Sequence, residues 1–237
     1  MLAFAGCAGE PSTPIRIDGD ASVSFEMPSG GATCANGVLA HMAAENFRLG
    51  ESGTVNDNAG HFHVMVDTDS VAVGETIPSD EQHLHFGDGS GQTVLDLATG
   101  EHSPVLQAAD GQHRALPLTD EVSVTVEEAS VSFAAPEDGA SITSPVGVGF
   151  ETSENLSVEP AGEFGQRSGH FHVLVDTEPV TVGDPIPSSE HHKHFGDGSE
   201  SAELDISQGT HTLTLQMGDG AHLALPEPDS IEVAVGG

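Results

Sequence analysis

The feature that most constrains this chain is a histidine-rich segment that occurs twice with the same spacing. The first copy reads GHFHVMVD over residues 60–67 and the second reads GHFHVLVD over residues 169–176. A shorter segment follows each, HLHFGDGS from His83 and HKHFGDGS from His192, again 109 residues apart. The chain of 237 residues is therefore an internal duplication. A repeat of about a hundred residues predicts two domains in series.

Short apolar segments with a period of two residues, separated by turns rich in Gly and Pro, fill both copies. Val23-Ser24-Phe25 opens the first copy and Val131-Ser132-Phe133 opens the second. This pattern predicts an all-β fold with two tandem immunoglobulin-like antiparallel β-sandwich domains. We assign residues 1–20 to an N-terminal tether, 21–128 to the first histidine-rich repeat and 129–237 to the second.

The charge of the chain restricts its partners. Five Lys and Arg stand against 38 Asp and Glu, which gives a formal net charge of −33. Like-charge repulsion then disfavours nucleic acid and anionic membrane surfaces, and metal cations are the expected partners. Such a composition is typical of proteins from salt-loving organisms, with an ordinary acidic mesophilic protein as the alternative. Because salt screens charge, with a Debye length of about 3 Å at 1 M, we expect stability to fall at low salt.

The first ten residues, MLAFAGCAGE, resemble the end of a lipoprotein signal, in which small residues precede a cysteine that becomes lipid-modified. We expect lipidation at Cys7 and a location outside the cell or at its surface, with this anchor as the sole membrane contact. Cys34 is the other cysteine of the chain. It stays free if Cys7 is acylated, and a disulfide between the two is the alternative.

The two His-x-His pairs of each copy predict metal binding. Neighbouring side chains of a strand point to opposite faces, so Phe62 and Val64 face the core while His61 and His63 share the other face, with Cα atoms about 6.6 Å apart. Two imidazoles on one strand can converge on zinc or copper(II) at about 2.0–2.1 Å per bond. The sequence therefore predicts a copper or zinc ion in each repeat.

A Greek-key order of strands brings further histidines to the same pole of each domain. The second His-x-His pair and one histidine near the end of each copy arrive there. The predicted metal ligands are His61, His63, His83, His85, His113, His170, His172, His192, His194 and His222. In the alternative in which the histidines are structural, Phe-Gly-Asp-Gly-Ser after each second pair is a turn, and the Asp88 or Asp197 carboxylate orients an imidazole N–H. His102 and His211 lie at the opposite pole, and a structural role is expected for both.

Two other functions stay open at this point. In one, the protein is a non-catalytic cell-surface module whose histidines only stabilise turns. In the other, it is a copper-dependent redox enzyme, because His-x-His on a sandwich strand followed by Phe-Gly-Asp is loosely similar to copper–zinc superoxide dismutases. The sequence contains no Gly-x-Ser-x-Gly motif, and its Gly-rich loops lack the lysine of a phosphate site. We therefore expect a protein that is not an enzyme.

Several linked motifs also resemble a known family. They are GHFHVLVD, Ile186-Pro187, HFGDG from His194, the segment 209–215, Gly218-Asp219 and His222. Together they resemble an exported domain family of bacteria and archaea described only as domain of unknown function 4399, here in a haloarchaeal-like lipoprotein. The resemblance covers most of both copies and implies a fold and a location, but no activity. The first copy departs from the pattern at Ser103-Pro104-Val105 and Ala109-Asp110, so a degenerate first site stays open.

Overall fold

The computed structural model describes residues 15–236, which form strands, turns and loops. The strands of the first repeat are β1 (Ser22–Met27), β2 (Ala32–Ala35), β3 (Gly37–Glu45), β4 (Arg48–Leu49), β5 (Ala59–Met65), β6 (His83–Phe86), β7 (Gln92–Asp96), β8 (Gly100–His102), β9 (Val105–Ala109), β10 (Ala115–Glu121) and β11 (Val124–Glu127). Those of the second repeat are β12 (Val131–Ala135), β13 (Ala140–Thr143), β14 (Val146–Thr152), β15 (Ser157–Val158), β16 (Ser168–Val175), β17 (His192–Phe195), β18 (Ser201–Leu204), β19 (Gly209–Gly218) and β20 (Asp229–Gly236). Within residues 15–236 no helix is long and apolar enough to cross a membrane.

Each repeat is a sandwich whose two main sheets pack face to face. In the first repeat the sheet β1-β3-β7 covers the sheet β10-β9-β5-β4, to which β6 is added beside β5. In the second repeat β12-β14-β18 covers β13-β20-β19-β16-β15, with β17 beside β16. The predicted pair of immunoglobulin-like sandwiches is confirmed. Pairing is mainly antiparallel, and short parallel pairs such as β2 with β11 and β4 with β5 lie at the sheet margins.

A proline accounts for the main difference between the two sandwiches. β19 runs without interruption over ten residues, whereas the first repeat has two separate strands, β8 and β9, in the same place. Pro104 lies between these two strands. Because proline has no N–H to donate, it interrupts the hydrogen bonds that join neighbouring strands. Strand β11 is accordingly found in a separate small sheet with β2 and β8.

The first repeat packs against the second through the outer face of β3. Leu39 and Val94 are buried in the core of the second repeat, although both belong to the first. The Gln166 side chain fixes this contact, since its Nε2 donates to the Leu39 carbonyl at 2.7 Å and its Oε1 accepts from the Leu39 N–H at 3.1 Å. As a result β3 is buried on both faces, whereas alternate residues of its counterpart β14 are exposed.

The histidine-bearing face of β5 is also covered. All seven residues of β5 are buried, because the connection between β5 and β6 lies over the face that carries His61 and His63. Gln107 on the neighbouring strand holds this connection in place. Its Oε1 accepts from the Val71 N–H at 2.8 Å, and its Nε2 donates to the Val71 carbonyl at 2.9 Å. Gln216 makes the same pair of hydrogen bonds with Val180 in the second repeat.

Candidate metal centre

Strand pairing brings three histidines of each repeat to one point. On β5, Phe62 and Val64 lie in the core, and the rings of His61 and His63 lie on the opposite side of the sheet. The antiparallel register places His85 of β6 directly opposite His63. In the second repeat His172 of β16 and His194 of β17 are paired in the same way.

A tight turn supplies the fourth histidine. His113 has a φ of 63°, in the left-handed region that residues other than glycine rarely adopt. The Asp110 carboxylate stabilises the turn, because its Oδ1 accepts from the N–H groups of Gln112 at 2.8 Å and Arg114 at 3.0 Å. His222 occupies the equivalent turn with a φ of 67°, and the Asp219 carboxylate stabilises that turn through the same kind of hydrogen bonds. Since the left-handed conformation costs about 1 kcal/mol or more, the surrounding hydrogen bonds must hold it.

The four rings of each repeat form two pairs that are joined through their Nε2 atoms. In the first repeat the Nε2 atoms of His61 and His63 are 3.1 Å apart, and those of His85 and His113 are also 3.1 Å apart. Five of the six ring pairs have centroids 4.8–5.0 Å apart, and the sixth, between His63 and His113, is 5.9 Å. The four rings are therefore a single cluster with one centre.

The second repeat reproduces this geometry. The Nε2 atoms of His170 and His172 are 3.1 Å apart, as are those of His194 and His222. The ring centroids are 4.8–5.0 Å apart except for one pair at 5.8 Å. We call these two groups the four-histidine clusters: His61, His63, His85 and His113 in the first repeat, and His170, His172, His194 and His222 in the second.

The spacing within each Nε2 pair matches that of neighbouring ligands on one metal ion. Four nitrogens bound tetrahedrally to zinc at about 2.0–2.1 Å lie about 3.3 Å from one another, and neighbours in a square-planar copper site lie about 2.9 Å apart. The 3.1 Å separations fall between these two values. Potential ligand atoms of His61, His85 and His113, and likewise of His170, His172 and His194, lie within 4.8 Å of one another.

The inner two rings of each cluster are held in the uncharged form. Burial, followed by the neighbouring imidazoles, lowers the pKa of His61 to about 4 and that of His63 to about 3. Burial and the same kind of neighbours lower the pKa of His170 to about 4 and that of His172 to about 3. Burial is also the main cause of the lowered pKa of His85. A neutral imidazole has a free lone pair, so these rings are in the form that binds metals at neutral pH.

The clusters leave buried polar atoms without partners. The Nδ1 atoms of His61, His63 and His170 are buried and have no hydrogen-bond partner within the described chain. In the pair His61 and His63 one Nε2 must accept a hydrogen bond from the other, so the accepting ring carries its proton on Nδ1. That N–H is then buried and unsatisfied, which costs about 1–3 kcal/mol. Such an arrangement is poor for stability alone and typical of a functional site.

Two predicted ligands lie outside the clusters. The Nδ1 atom of His83 is 2.6 Å from the Asp80 carboxylate, and that of His192 is 2.8 Å from the Ser189 hydroxyl. None of the ring contacts found within residues 15–236 joins either histidine to a cluster. The prediction of five converging imidazoles per repeat is thus corrected to four. The reason is register: His83 lies opposite Met65, one pair beyond the histidines of β5, where the preceding turn binds its ring.

Asp88 and Asp197 lie in the turn predicted for Phe-Gly-Asp-Gly-Ser, but their hydrogen bonds in residues 15–236 are to the serine of that turn and not to an imidazole. The Asp88 carboxylate accepts a hydrogen bond from the Ser90 N–H at 2.9 Å, and Asp197 accepts from the Ser199 N–H at 3.0 Å. Both side chains therefore close the turn that follows β6 or β17. Each is also close enough to the cluster to act on it by charge, since Asp88 raises the pKa of His85 against the stronger effect of burial.

His102 and His211 have the structural role expected of them. The Nδ1 atom of His102 lies 2.7 Å from the Asp67 carboxylate and its Nε2 lies 2.7 Å from the Ala98 carbonyl. His211 is bonded in the same way to Asp176 and to the Ser207 carbonyl. Both nitrogens of each ring face acceptors, so neither ring offers a lone pair to a metal.

Two glycines of the repeated Phe-Gly-Asp-Gly-Ser motif shape the site, although the sequence analysis predicted no role for them. A Cβ at Gly87 would overlap the His85 ring, and one at Gly196 would overlap the His194 ring. Glycine is therefore needed for each outer imidazole to lie against its own turn. The signal was available in the sequence, since the motif is identical in the two copies.

Cys7 lies outside the described residues. Cys34 is a buried free cysteine, and burial raises the pKa of its thiol to about 11. A protonated, buried thiol is a poor metal ligand. The two groups of potential metal ligands found in residues 15–236 consist of imidazoles alone.

Comparisons with solved structures find the chain similar to several modules. Fibronectin(III)-like modules of Clostridium thermocellum CbhA are 16% identical, with 90% of this chain and 93% of that chain covered and a TM-score of 0.29. A tetra-tandem repeat from the extending region of a large adhesion protein is 16% identical, covering 92% and 49%, with a TM-score of 0.25. Drosophila N-cadherin EC1-3 is 12% identical, covering 90% and 66%, with a TM-score of 0.21. Curated proteins give no significant match.

A family match covers both repeats. Residues 40–127 and 148–236 each match the family described as Domain of unknown function (DUF4399). The matched ranges make up well over half of the chain, and each contains one complete four-histidine cluster. The chain therefore belongs to the DUF4399 family and carries two tandem copies of its domain.

Proposed function

We propose that each repeat binds one zinc or copper(II) ion through the four Nε2 atoms of its cluster, and that the protein is a non-enzymatic metal-binding protein. The observation that carries this proposal is the convergence of four imidazoles in each repeat, joined in two pairs whose Nε2 atoms have the spacing of neighbouring ligands on one ion. Imidazole suits zinc and copper, whereas calcium and magnesium require oxygen ligands.

A closed ligand set supports binding in preference to catalysis. Catalytic zinc sites use three protein ligands and keep a fourth position for water or substrate, whereas structural sites use four. With all four imidazoles of a cluster bound, a four-coordinate complex has no open position.

The charge of the chain supports a cationic ligand. A net charge of −33 raises the local concentration of cations around the protein, and increasingly so as the ionic strength is lowered. We also propose that the protein acts outside the cytoplasm, held by a lipid on Cys7. The lipoprotein-like sequence around Cys7 supports this location, and mass spectrometry of the protein from its native host tests it.

A structural module is the second candidate function. It is favoured by one observation, which is that His61 and His63 are almost fully buried, as core residues are. In this case the clusters would only fill space beneath the connections that cover them. Metal ions would then leave the melting temperature unchanged, whereas a site specific for the folded state raises it.

Metal uptake by ligand variants tests the proposed function. Metal-free protein in molar salt is titrated with zinc or copper(II) by calorimetry, and its metal content is measured after dialysis. We expect two ions per chain for the wild type. The variant His85→Ala/His194→Ala, which removes one outer ligand from each cluster, should lose high-affinity binding at both sites.

The matched control uses the histidines outside the clusters. His83→Ala/His192→Ala removes the same number of imidazoles from the same two strands and should still bind two ions. Wild-type protein that takes up neither metal at neutral pH would contradict the proposal. So would a control that loses binding to the same degree as the ligand variant.

A further inference from the structure

The two clusters share their four ligands but differ in the residues around them. In the turn that carries the fourth histidine, the first repeat has Arg114 where the second has Leu223. On the strand before that turn, the first has Ala109 where the second has Gly218. The first difference changes the charge near the cluster, and the second changes the space available to its rings.

The charge difference arises at the aspartate of the turn. In the first repeat the Asp110 Oδ2 atom lies 2.7 Å from the Arg114 Nε and 2.6 Å from its Nη2. The guanidinium therefore neutralises the Asp110 carboxylate. In the second repeat leucine replaces this arginine, and the Asp219 Oδ2 atom has no hydrogen-bond partner in the described chain. Asp219 is fully buried, with an exposed fraction of 0%.

Within residues 15–236 no ion pair to Asp219 takes the place of the one that Arg114 makes with Asp110. The Asp219 Oδ1 atom accepts from the N–H groups of Ala221 and Leu223, both at 2.8 Å, which leaves its second oxygen free. His41 of the first repeat is near enough to act on Asp219 by charge, but the His41 Nε2 atom is itself buried without a hydrogen bond. A buried carboxylate without a partner is costly, and a nearby cation offsets that cost.

The steric difference acts on an inner ligand. A Cβ placed on Gly218 would lie 3.1 Å from the His172 Nε2 atom and 3.4 Å from its Cδ2. Such contacts are tighter than most that real Cβ atoms make, so the ring would have to move by a few tenths of an ångström. Ala109 carries this methyl group in the first repeat, where it lies opposite His61. The second cluster therefore has more room for its ligands to settle around an ion.

We propose that the two sites are unequal, with the second repeat as the tight site and the first as the weak one. This inference rests on the proposed function. A divalent ion held by four neutral imidazoles keeps its full charge of two. Beside the second cluster the unpaired Asp219 carboxylate balances part of that charge, whereas beside the first the guanidinium of Arg114 offsets part of the charge that Asp110 brings to the site. The ion that binds first thus occupies the second repeat, and the first repeat binds and releases metal at higher concentrations.

Single-site variants of the full chain measure each affinity separately. His85→Ala leaves only the second site and His194→Ala leaves only the first, and both residues are outer ligands whose removal spares the core. Zinc is titrated against a chromophoric chelator of known affinity in molar salt at pH 7.5. At an effective dielectric constant of about 20, a unit negative charge within about 20 Å of a divalent ion is worth at least roughly a power of ten in affinity, so we expect the second site to bind zinc at least about tenfold more tightly.

Exchange of the surrounding residues tests the cause. In the His194→Ala background, Arg114→Leu gives the first site the residue of the second and should tighten zinc binding about tenfold. In the His85→Ala background, Asp219→Asn keeps the Oδ1 acceptor, removes the charge and should weaken binding by a similar factor. Arg114→Gln is a second version of the first exchange, and Ala109→Gly relieves the steric difference separately. Circular dichroism verifies that each variant is folded.

The outcomes separate this inference from the proposed function. Two sites of equal affinity, or a tighter first site, overturn the inference and leave metal binding in place. The inference is also overturned if folded Arg114→Leu and Arg114→Gln variants bind zinc no more tightly than their parent. Failure of both repeats to take up zinc or copper(II) overturns the proposed function together with the inference drawn from it.

Discussion

Acidification of the metal-free protein should unfold it well above the pH at which its carboxylates are protonated. The pKa of His61 is lowered from 6.5 to about 4 and that of His63 to about 3, mainly by burial. Between pH 6.5 and these values the unfolded chain binds protons on both residues, whereas the folded chain does not. The free energy of unfolding therefore falls as the pH is lowered, and the stability linked to these rings is fully present only above pH 6.5.

The size of the effect follows from the unfolded state. At pH 5 the protonation of one histidine of pKa 6.5 stabilises the unfolded chain by about 2 kcal/mol relative to pH 7. Both inner rings of a repeat have a folded pKa well below 5, so the result barely depends on the exact values. Each repeat should lose about 4 kcal/mol, a large part of the roughly 5–15 kcal/mol that stabilises a typical domain.

Urea unfolding at pH 7 and pH 5 measures this loss. The protein is kept free of metal with a chelator and in molar salt, and unfolding is followed by circular dichroism. His63→Leu removes one of the two titrating rings and should reduce the loss in its repeat by about 2 kcal/mol. His83→Ala, outside the cluster, should keep the whole loss. Equal free energies of unfolding at the two pH values would refute the reasoning.

Four further outcomes are expected. A methyl group at position 87 would overlap the His85 ring, so Gly87→Ala should displace this ligand and weaken zinc binding by the first repeat ~tenfold or more in calorimetry. Gly147→Ala is the control, because the space around Gly147 is open and zinc binding should not change. Cys34, buried and with its pKa raised to about 11, should react with iodoacetamide at pH 8 only after unfolding, as mass spectrometry will show. Burial lowers the pKa of His102, but its hydrogen bonds to Asp67 and Ala98 outweigh burial and raise the pKa above 6.5. The stability that protonated His102 contributes should therefore be lost as the pH rises through its pKa in the folded protein. His102→Asn should flatten the dependence of the free energy of unfolding on pH above 6.5, as urea unfolding will show. Dialysis from molar to millimolar salt should lower the melting temperature, because the charge of −33 is then unscreened.

The sequence predicts the parts of this molecule that depend on local rules. The alternation of Phe62 and Val64 with the histidines beside them places two imidazoles on one face, since a strand has a period of two. The duplication predicts two domains with equivalent sites. The duplication also extends to the turn that carries the fourth histidine, because an aspartate lies three residues before His113 and three residues before His222.

Features that depend on long-range packing were not predicted. The connection between β5 and β6 covers the histidine face of β5, and the Gln107 side chain holds it there through two hydrogen bonds to Val71. The period of apolar residues along a strand cannot predict such a contact between distant segments. The exclusion of His83 follows from pairing register, which the spacing of residues does not fix. The contact between repeats left a readable trace, however. Val38-Leu39-Ala40 is apolar throughout whereas Val146-Gly147-Val148 alternates, and only the first of these strands is covered on both faces.

The contrast between two kinds of histidine in this chain bears most directly on function. His102 and His211 are partly exposed, yet both nitrogens of each ring face hydrogen-bond acceptors, as expected of residues retained for stability. The inner rings His61 and His170 are buried, which should make hydrogen bonds more necessary, yet their Nδ1 atoms have no partner in the part of the chain that the structure describes. Selection for stability alone would favour apolar residues at such positions, because burial of an unsatisfied donor costs about 1–3 kcal/mol. The presence of the same arrangement in both repeats therefore argues that the lone pairs at the centre of each cluster, and not the fit of the rings in the core, are what the fold preserves.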